Sequence, residues 1–199
     1  MSKNIFKKTV LIAAILFLAS CNDDDESEII NEEEEFSRVV ITVTNEGDQS
    51  SEQYTFEVEG HDHEGESEST EDTEDTHEDH LEVELATNSS YLFEIRFYND
   101  EDPNNPEDVT QEIINEADDH HVFYELIDGA NITIESGTGD TMDSNSNPLN
   151  LITRWTTTDA GVADVIAYLI HEPSVKTGDT RDDFGGATDV EIEFEAHVE

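Results

Sequence analysis

The chain has 199 residues, 52 of them acidic and 8 basic, for a formal net charge of −44, and it holds a single cysteine. That balance excludes ordinary nucleic-acid binding, which needs Lys and Arg to neutralise phosphates, and it argues against docking on anionic lipid head groups. It favours cations, basic partners or plain solubility, and self-repulsion on this scale destabilises a compact fold unless bound divalent ions or salt relieve it.

The N-terminus reads MSKNIFKKTVLIAAILFLASC. Lys3, Lys7 and Lys8 form a positive start, and Val10 to Leu18 is an apolar run too short to span a membrane as a helix. Leu18-Ala19-Ser20-Cys21 resembles the bacterial lipobox, in which small residues precede the cysteine whose thiol receives a diacylglycerol. Residues 1–20 are therefore expected to be a lipoprotein signal peptide, with Cys21 the lipidated first residue of the mature chain. Acyl chains, palmitate among them, then replace any need for a transmembrane segment. The mature chain has no thiol left for disulfides or thiolate metal sites. The run Asn22-Asp23-Asp24-Asp25-Glu26 looks like the export signal that sends lipoproteins of Bacteroidota to the cell surface; the periplasmic leaflet of the outer membrane is the alternative.

Residues 21–36 read as an acidic tether, and residues 60–80 as a second acidic segment too poor in apolar side chains to fold. The rest of 37–199 is one domain. Period-two alternation predicts its strands. Val39, Ile41 and Val43 share a face, as do Tyr54, Phe56 and Val58, then Leu81, Val83 and Leu85. Tyr91, Phe93, Ile95 and Phe97 make the strongest aromatic stripe. Further strands are predicted over 122–127, 131–135, 151–157 and 163–171. In the last, Val190, Ile192, Phe194, Ala196 and Val198 alternate with Asp189, Glu191, Glu193, Glu195 and His197, one face buried and one in water. One helix is expected after Asp108, which with Gln111 has the form of a capping box; Val109, Ile113, Ile114 and Ala117 supply its apolar stripe. The fold class that results is mainly β: a single antiparallel, immunoglobulin-like β-sandwich of about eight or nine strands with one short helix.

Four stretches carry ligand chemistry. Residues 61–80 hold four histidines and ten carboxylates. His61-Asp62-His63 and His77-Glu78-Asp79-His80 bracket this segment and abut predicted strands on both sides. If those strands pair as a hairpin, the four imidazoles fall within reach of one ion, which suits Zn²⁺, Cu²⁺ or Ni²⁺. The competing reading is an acidic spacer with diffuse cation affinity. Asp143, Asn145 and Asn147 have the D-x-N-x-N spacing that opens many calcium loops, with Asp140 a further oxygen ligand; the glycine and terminal glutamate of an EF-hand are missing, and an Asx-rich turn explains the same residues. His120 and His121, adjacent on extended chain, point to opposite faces and read as a solvated helix end, one of them able to serve beside an acidic neighbour. His171 has the phase of Val165, Ala167 and Leu169 and reads as a structural histidine at the sheet rim, and Trp155, the sole tryptophan, as core. There is no G-x-S-x-G, H-E-x-x-H, P-loop or G-x-G-x-x-G, so an enzyme is not expected.

The segments "EDVTQEIINEADDHHVFYEL", "LNLITRWTT", "HEP" (171–173) and "GGATDVEIEF" resemble, in their order from about Leu81 onward, a family of small lipoproteins of Flavobacteriia and their relatives. Members carry the label of a type 1 periplasmic binding fold and lie beside genes for TonB-dependent receptors. The resemblance implies an outer-membrane lipoprotein, accessory to such a receptor, and its label implies a binding protein for a soluble ligand. The expectation carried forward is a lipid-anchored protein that binds divalent metal ions, Zn²⁺ first and Ca²⁺ second. A protein- or glycan-interaction module is the alternative.

Overall fold

The computed structural model describes residues 35–58, 81–100, 105–127 and 131–199. The signal segment, Cys21, the tether up to residue 34 and the acidic stretch with His61, Asp62, His63, His77, Glu78, Asp79 and His80 lie outside the described residues, while Phe36, expected as the end of the tether, belongs to the domain, buried edge-on against Phe97 at 5.8 Å.

The alternating stretches form strands where the pattern places them. In chain order they are β1 (Arg38–Asn45), β2 (Ser51–Glu57), β3 (Leu81–Leu85), β4 (Ser90–Asn99), β5 (Glu107–Asp108), β6 (His120–Ile127), β7 (Ile132–Ser136), β8 (Ile152–Thr157), β9 (Gly161–His171) and β10 (Ala187–Val198). Helix α1 (Thr110–Asn115) lies between β5 and β6, and α2 (Arg181–Phe184) between β9 and β10. One sheet has the order β2-β1-β4-β8-β7, with β5 beside the end of β4; the other has the order β3-β10-β9-β6. Among the described residues every strand pairing is antiparallel but one, the parallel alignment of β3 with β10, in which Leu81 faces Phe194 and Val83 faces Ala196. No helix among the described residues is long and apolar enough to cross a membrane.

Register explains the core. Pairing Ile41 with Ile95 and Val43 with Phe93 brings the two apolar stripes of β1 and β4 onto one face. Val190, Ile192, Phe194, Ala196 and Val198 do the same for β10. Both sheets contribute to a single buried cluster. At its centre Trp155 stacks on Phe93 (centroids 4.0 Å apart, planes 9° from parallel) and meets Tyr124 edge-on at 5.3 Å. Phe56 touches Phe194 at 5.7 Å, which joins an edge of the first sheet to the second.

Three expectations change. The strands flanking the acidic histidine stretch do not form a hairpin: β2 pairs with β1 in one sheet, and β3 pairs with β10 in the other. Each strand finds apolar partners there: Phe56 faces Val39 on β1, and Val83 faces Ala196 on β10. The capping box before α1 is not made. Asp108 belongs to β5 and its Oδ1 accepts the Thr110 N–H at 3.0 Å, while the Gln111 amide turns to Asn115. Val109, Ile113 and Ala117 are buried as the helical spacing requires. Last, α2 escapes prediction because four residues show no periodicity. Its cap is nonetheless written in the chain, since the Asp183 carboxylate accepts the N–H and hydroxyl of Thr180, at 3.0 and 3.1 Å. Phe184 from this helix joins Tyr168 and Ile170 in a small second cluster, on the face of β9 away from the main core. That coverage is why β9 reads as a continuous apolar run at Ala167–Ile170 rather than as an alternation.

Candidate metal centre

The histidines at 120 and 171 come together because the register of β6 on β9 begins with that pair. His171 is in turn opposite Ala187, near the start of β10. Between Thr188 and Val190 the β9–β10 register slips, and Asp189 is the extra residue. In a regular strand Asp189 would face away from Val190, into water. A bulge bends the strand locally and re-aims the side chain it carries, and here the carboxylate turns to both imidazoles. His120 Nε2 lies 3.7 Å from Asp189 Oδ2, and His171 Nδ1 lies 3.7 Å from Asp189 Oδ1. One ligand atom from each of the three residues falls within 4.8 Å of the other two.

The two imidazoles differ in setting. His120 is 1% exposed, and its Nδ1 sits 3.3 Å from the Glu116 carbonyl at the end of α1. A carbonyl only accepts, so Nδ1 carries the proton shared with Glu116, and Nε2, the atom facing Asp189, is the nitrogen left for a metal once it is deprotonated. His171 and Asp189 lie at the rim, with side chains 25% and 18% exposed. The rings are stacked, with centroids 4.8 Å apart and planes within 12° of parallel.

Two nitrogens and one carboxylate suit Zn²⁺ or another borderline transition ion far better than Ca²⁺, which takes six or more oxygens. Metal–ligand bonds of about 2.0–2.1 Å place neighbouring ligand atoms of a tetrahedral ion about 3.3 Å apart. The two 3.7 Å separations run to different oxygens of Asp189, and the three ligand atoms as a set lie within 4.8 Å of one another, so the set must contract by up to about 1.5 Å around an ion. The stack must open as well. A ring nitrogen binds metal in the plane of its ring, and two parallel rings cannot both aim at one ion, so His171, the more exposed, has to tilt.

The residues singled out by sequence are distributed as follows. His120 and His121 do point to opposite faces, but neither is solvated: they are 1% and 2% exposed, because the strand starts at His120 instead of beyond it. His121 stacks on Phe184 at 5.2 Å, and its Nδ1 meets the Pro148 carbonyl at 3.1 Å. Burial, helped by the nearby Lys176 ammonium, pushes its pKa down to about 4. The oxygens of Asp143 are filled from within the chain. Oδ1 accepts the N–H groups of Asn145 and Asn147, and Oδ2 takes the Asn147 amide at 2.9 Å and the Lys176 ammonium at 3.3 Å. A carboxylate has about four acceptor positions, so Asp143 has none to offer a calcium ion. These donors, the Asn147 amide foremost, hold its pKa down to about 2. Asp140 likewise accepts the N–H groups of Asn150 and Ile152, at 2.7 and 3.1 Å. The D-x-N-x-N stretch is an Asx turn closed by a lysine.

Asp189 is the candidate ligand that sequence reasoning missed, read there as one more outward carboxylate of an alternating strand. The bulge that redirects it has no pattern of its own, although the Gly185–Gly186 pair just before it hints at irregular backbone. A second grouping, Glu82, Glu195 and His197, lies where β3 and β10 run parallel. There Glu195 sits 2.7 Å from His197 and raises its pKa.

Comparison with known proteins finds no match among family models, curated proteins or solved structures.

Proposed function

We propose that this chain is a lipid-anchored cell-envelope protein that binds a divalent transition-metal ion, Zn²⁺ foremost, through His120, His171 and Asp189. The observation that carries the reading is the convergence of two imidazoles and a carboxylate from three strands, one imidazole oriented by a main-chain carbonyl so that its Nε2 faces the carboxylate. Three of the segments that resemble the flavobacterial lipoproteins, those containing Asp119-His120-His121, His171-Glu172-Pro173 and Gly185 to Phe194, are the ones that build this cluster. The reading is of binding, not turnover.

The two sheets are read as the layers of a β-sandwich of immunoglobulin-like plan, held to the outer membrane through Cys21 and facing the cell exterior or the periplasm. The acidic stretch with His61, His63, His77 and His80 raises the local cation concentration near the domain. A TonB-dependent receptor is the partner the family resemblance suggests.

Calorimetry with Zn²⁺, in physiological salt and excess Ca²⁺, tests the proposal on three proteins: the wild type, the pair His120→Asn/His171→Asn, and a variant with the four histidines of 61–80 changed to Asn. Defined stoichiometry in the wild type and in the four-histidine variant, lost in the pair, is the expected result. Loss in the four-histidine variant alone moves the site to the acidic stretch. A shallow isotherm common to all three proteins removes the function.

A further inference from the structure

We infer that the metal at this centre keeps a coordination position open on its His171–Asp189 side and accepts a neutral nitrogen donor from outside the chain, such as the imidazole of a partner protein. The inference rests on the reading above that the centre holds a metal ion, and it names what that ion then binds.

Three features of the centre lead there. The first is its asymmetry. His120 forms an inner wall at 1% exposure and offers a single nitrogen, while His171 and Asp189 stand at the rim, accessible to solvent. The described residues supply three ligand atoms, and a four-coordinate ion takes one more. The second is the motion that binding requires. His171 must tilt out of its stack on His120, and this clears the outer side of the ion. The third is that the backbone beneath cannot collapse to refill that space. Glu172 N–H is bonded to the Asp119 carbonyl at 2.6 Å. Gly186, at φ +69°, packs so close that a Cβ there would stand 2.2 Å from the His171 carbonyl oxygen. With the backbone held, the movement falls to the rim side chains, His171 the more exposed of the two.

Charge selects the incoming group. A chain of net charge −44 repels carboxylates and phosphates that approach the rim. A neutral imidazole meets no such barrier, and borderline ions favour it. An ion with a buried anchor and an outward position can thus be approached by a second protein's histidine before either of its own histidines lets go, which is the geometry of a hand-over.

Co²⁺ in place of Zn²⁺ makes this visible, using the full-length chain in detergent. Cobalt in a four- or five-coordinate nitrogen–oxygen site absorbs strongly in the visible, whereas cobalt held diffusely by carboxylates and water is six-coordinate and faint. The wild type should develop the strong bands, and His120→Asn should not. Adding imidazole should then shift the bands while the ion stays with the protein through gel filtration, and adding acetate should leave them alone. Bands that imidazole does not move, or that disappear as imidazole strips the ion, overturn the open position while leaving metal binding intact. Absence of bands before any imidazole is added removes both.

Discussion

Acidification from pH 7 to pH 5 should cost the domain about 2 kcal/mol through His121 alone. This imidazole is 2% exposed, stacked on Phe184, with its pKa depressed to about 4 from an ordinary value of 6.5. In the folded chain it stays neutral at pH 5, whereas in the unfolded chain it is almost fully protonated. The unfolded state therefore binds the extra proton, and stability falls as pH drops from about 6.5 towards 4 and is complete above that window. One and a half pH units below the unfolded value, at about 1.36 kcal/mol each, gives roughly 2 kcal/mol. Protonation of the many carboxylates over the same range relieves self-repulsion and acts in the opposite direction, so the wild-type curve by itself does not isolate the effect. The comparison with His121→Phe does. That variant keeps an aromatic ring beside Phe184 and cannot titrate, and the carboxylate background is common to both proteins. Urea unfolding followed by Trp155 fluorescence should show the stability difference between the two proteins change by about 2 kcal/mol, in favour of the variant, on going from pH 7 to pH 5. A difference that stays constant with pH would refute the argument that burial holds this imidazole neutral.

Zn²⁺ at one hundred times its dissociation constant should stabilise the wild type by about 2.7 kcal/mol, a rise in Tm of roughly 5–10 °C that EDTA reverses and His171→Asn abolishes in differential scanning calorimetry. Trp155→Ala should cost about 3–5 kcal/mol in urea titrations, since the indole is fully buried and packed against Phe93, Tyr124 and Phe194; a loss below about 1 kcal/mol would mean the core is not packed as described. Gly186→Ala forces a Cβ against the His171 carbonyl at a positive φ, so it should lower stability and weaken Zn²⁺ binding together; unchanged calorimetry would show that the β9–β10 corner yields. Lys176→Met and Asp143→Asn should show favourable coupling in a double-mutant cycle, because the ammonium and carboxylate meet at 3.3 Å with side chains only 6% and 3% exposed.

The strands and their buried faces were legible in the chain itself. Tyr91, Phe93, Ile95 and Phe97 can alternate with polar residues on extended backbone only if one face is covered, and the run from Val190 to Val198 has the same logic. The apolar stripe of α1 and the burial of Trp155 follow from local pattern and size in the same way. Partner choice was not legible. Nothing between Tyr54 and Leu85 states that β2 and β3 belong to different sheets, because pairing is decided by which layer covers each apolar face. His120 and His171 are fifty-one residues apart, and only the β6–β9 register sets them ring against ring. Asp189 illustrates the limit most clearly. Strand periodicity assigns it to water, and a one-residue slip against β9, visible only once β10 is paired, turns it to the histidines. Composition and alternation act along the chain, so they determine which residues a strand buries. A ligand set is a relation among three strands, and it exists only after register and bulge have been settled by the packing of the whole.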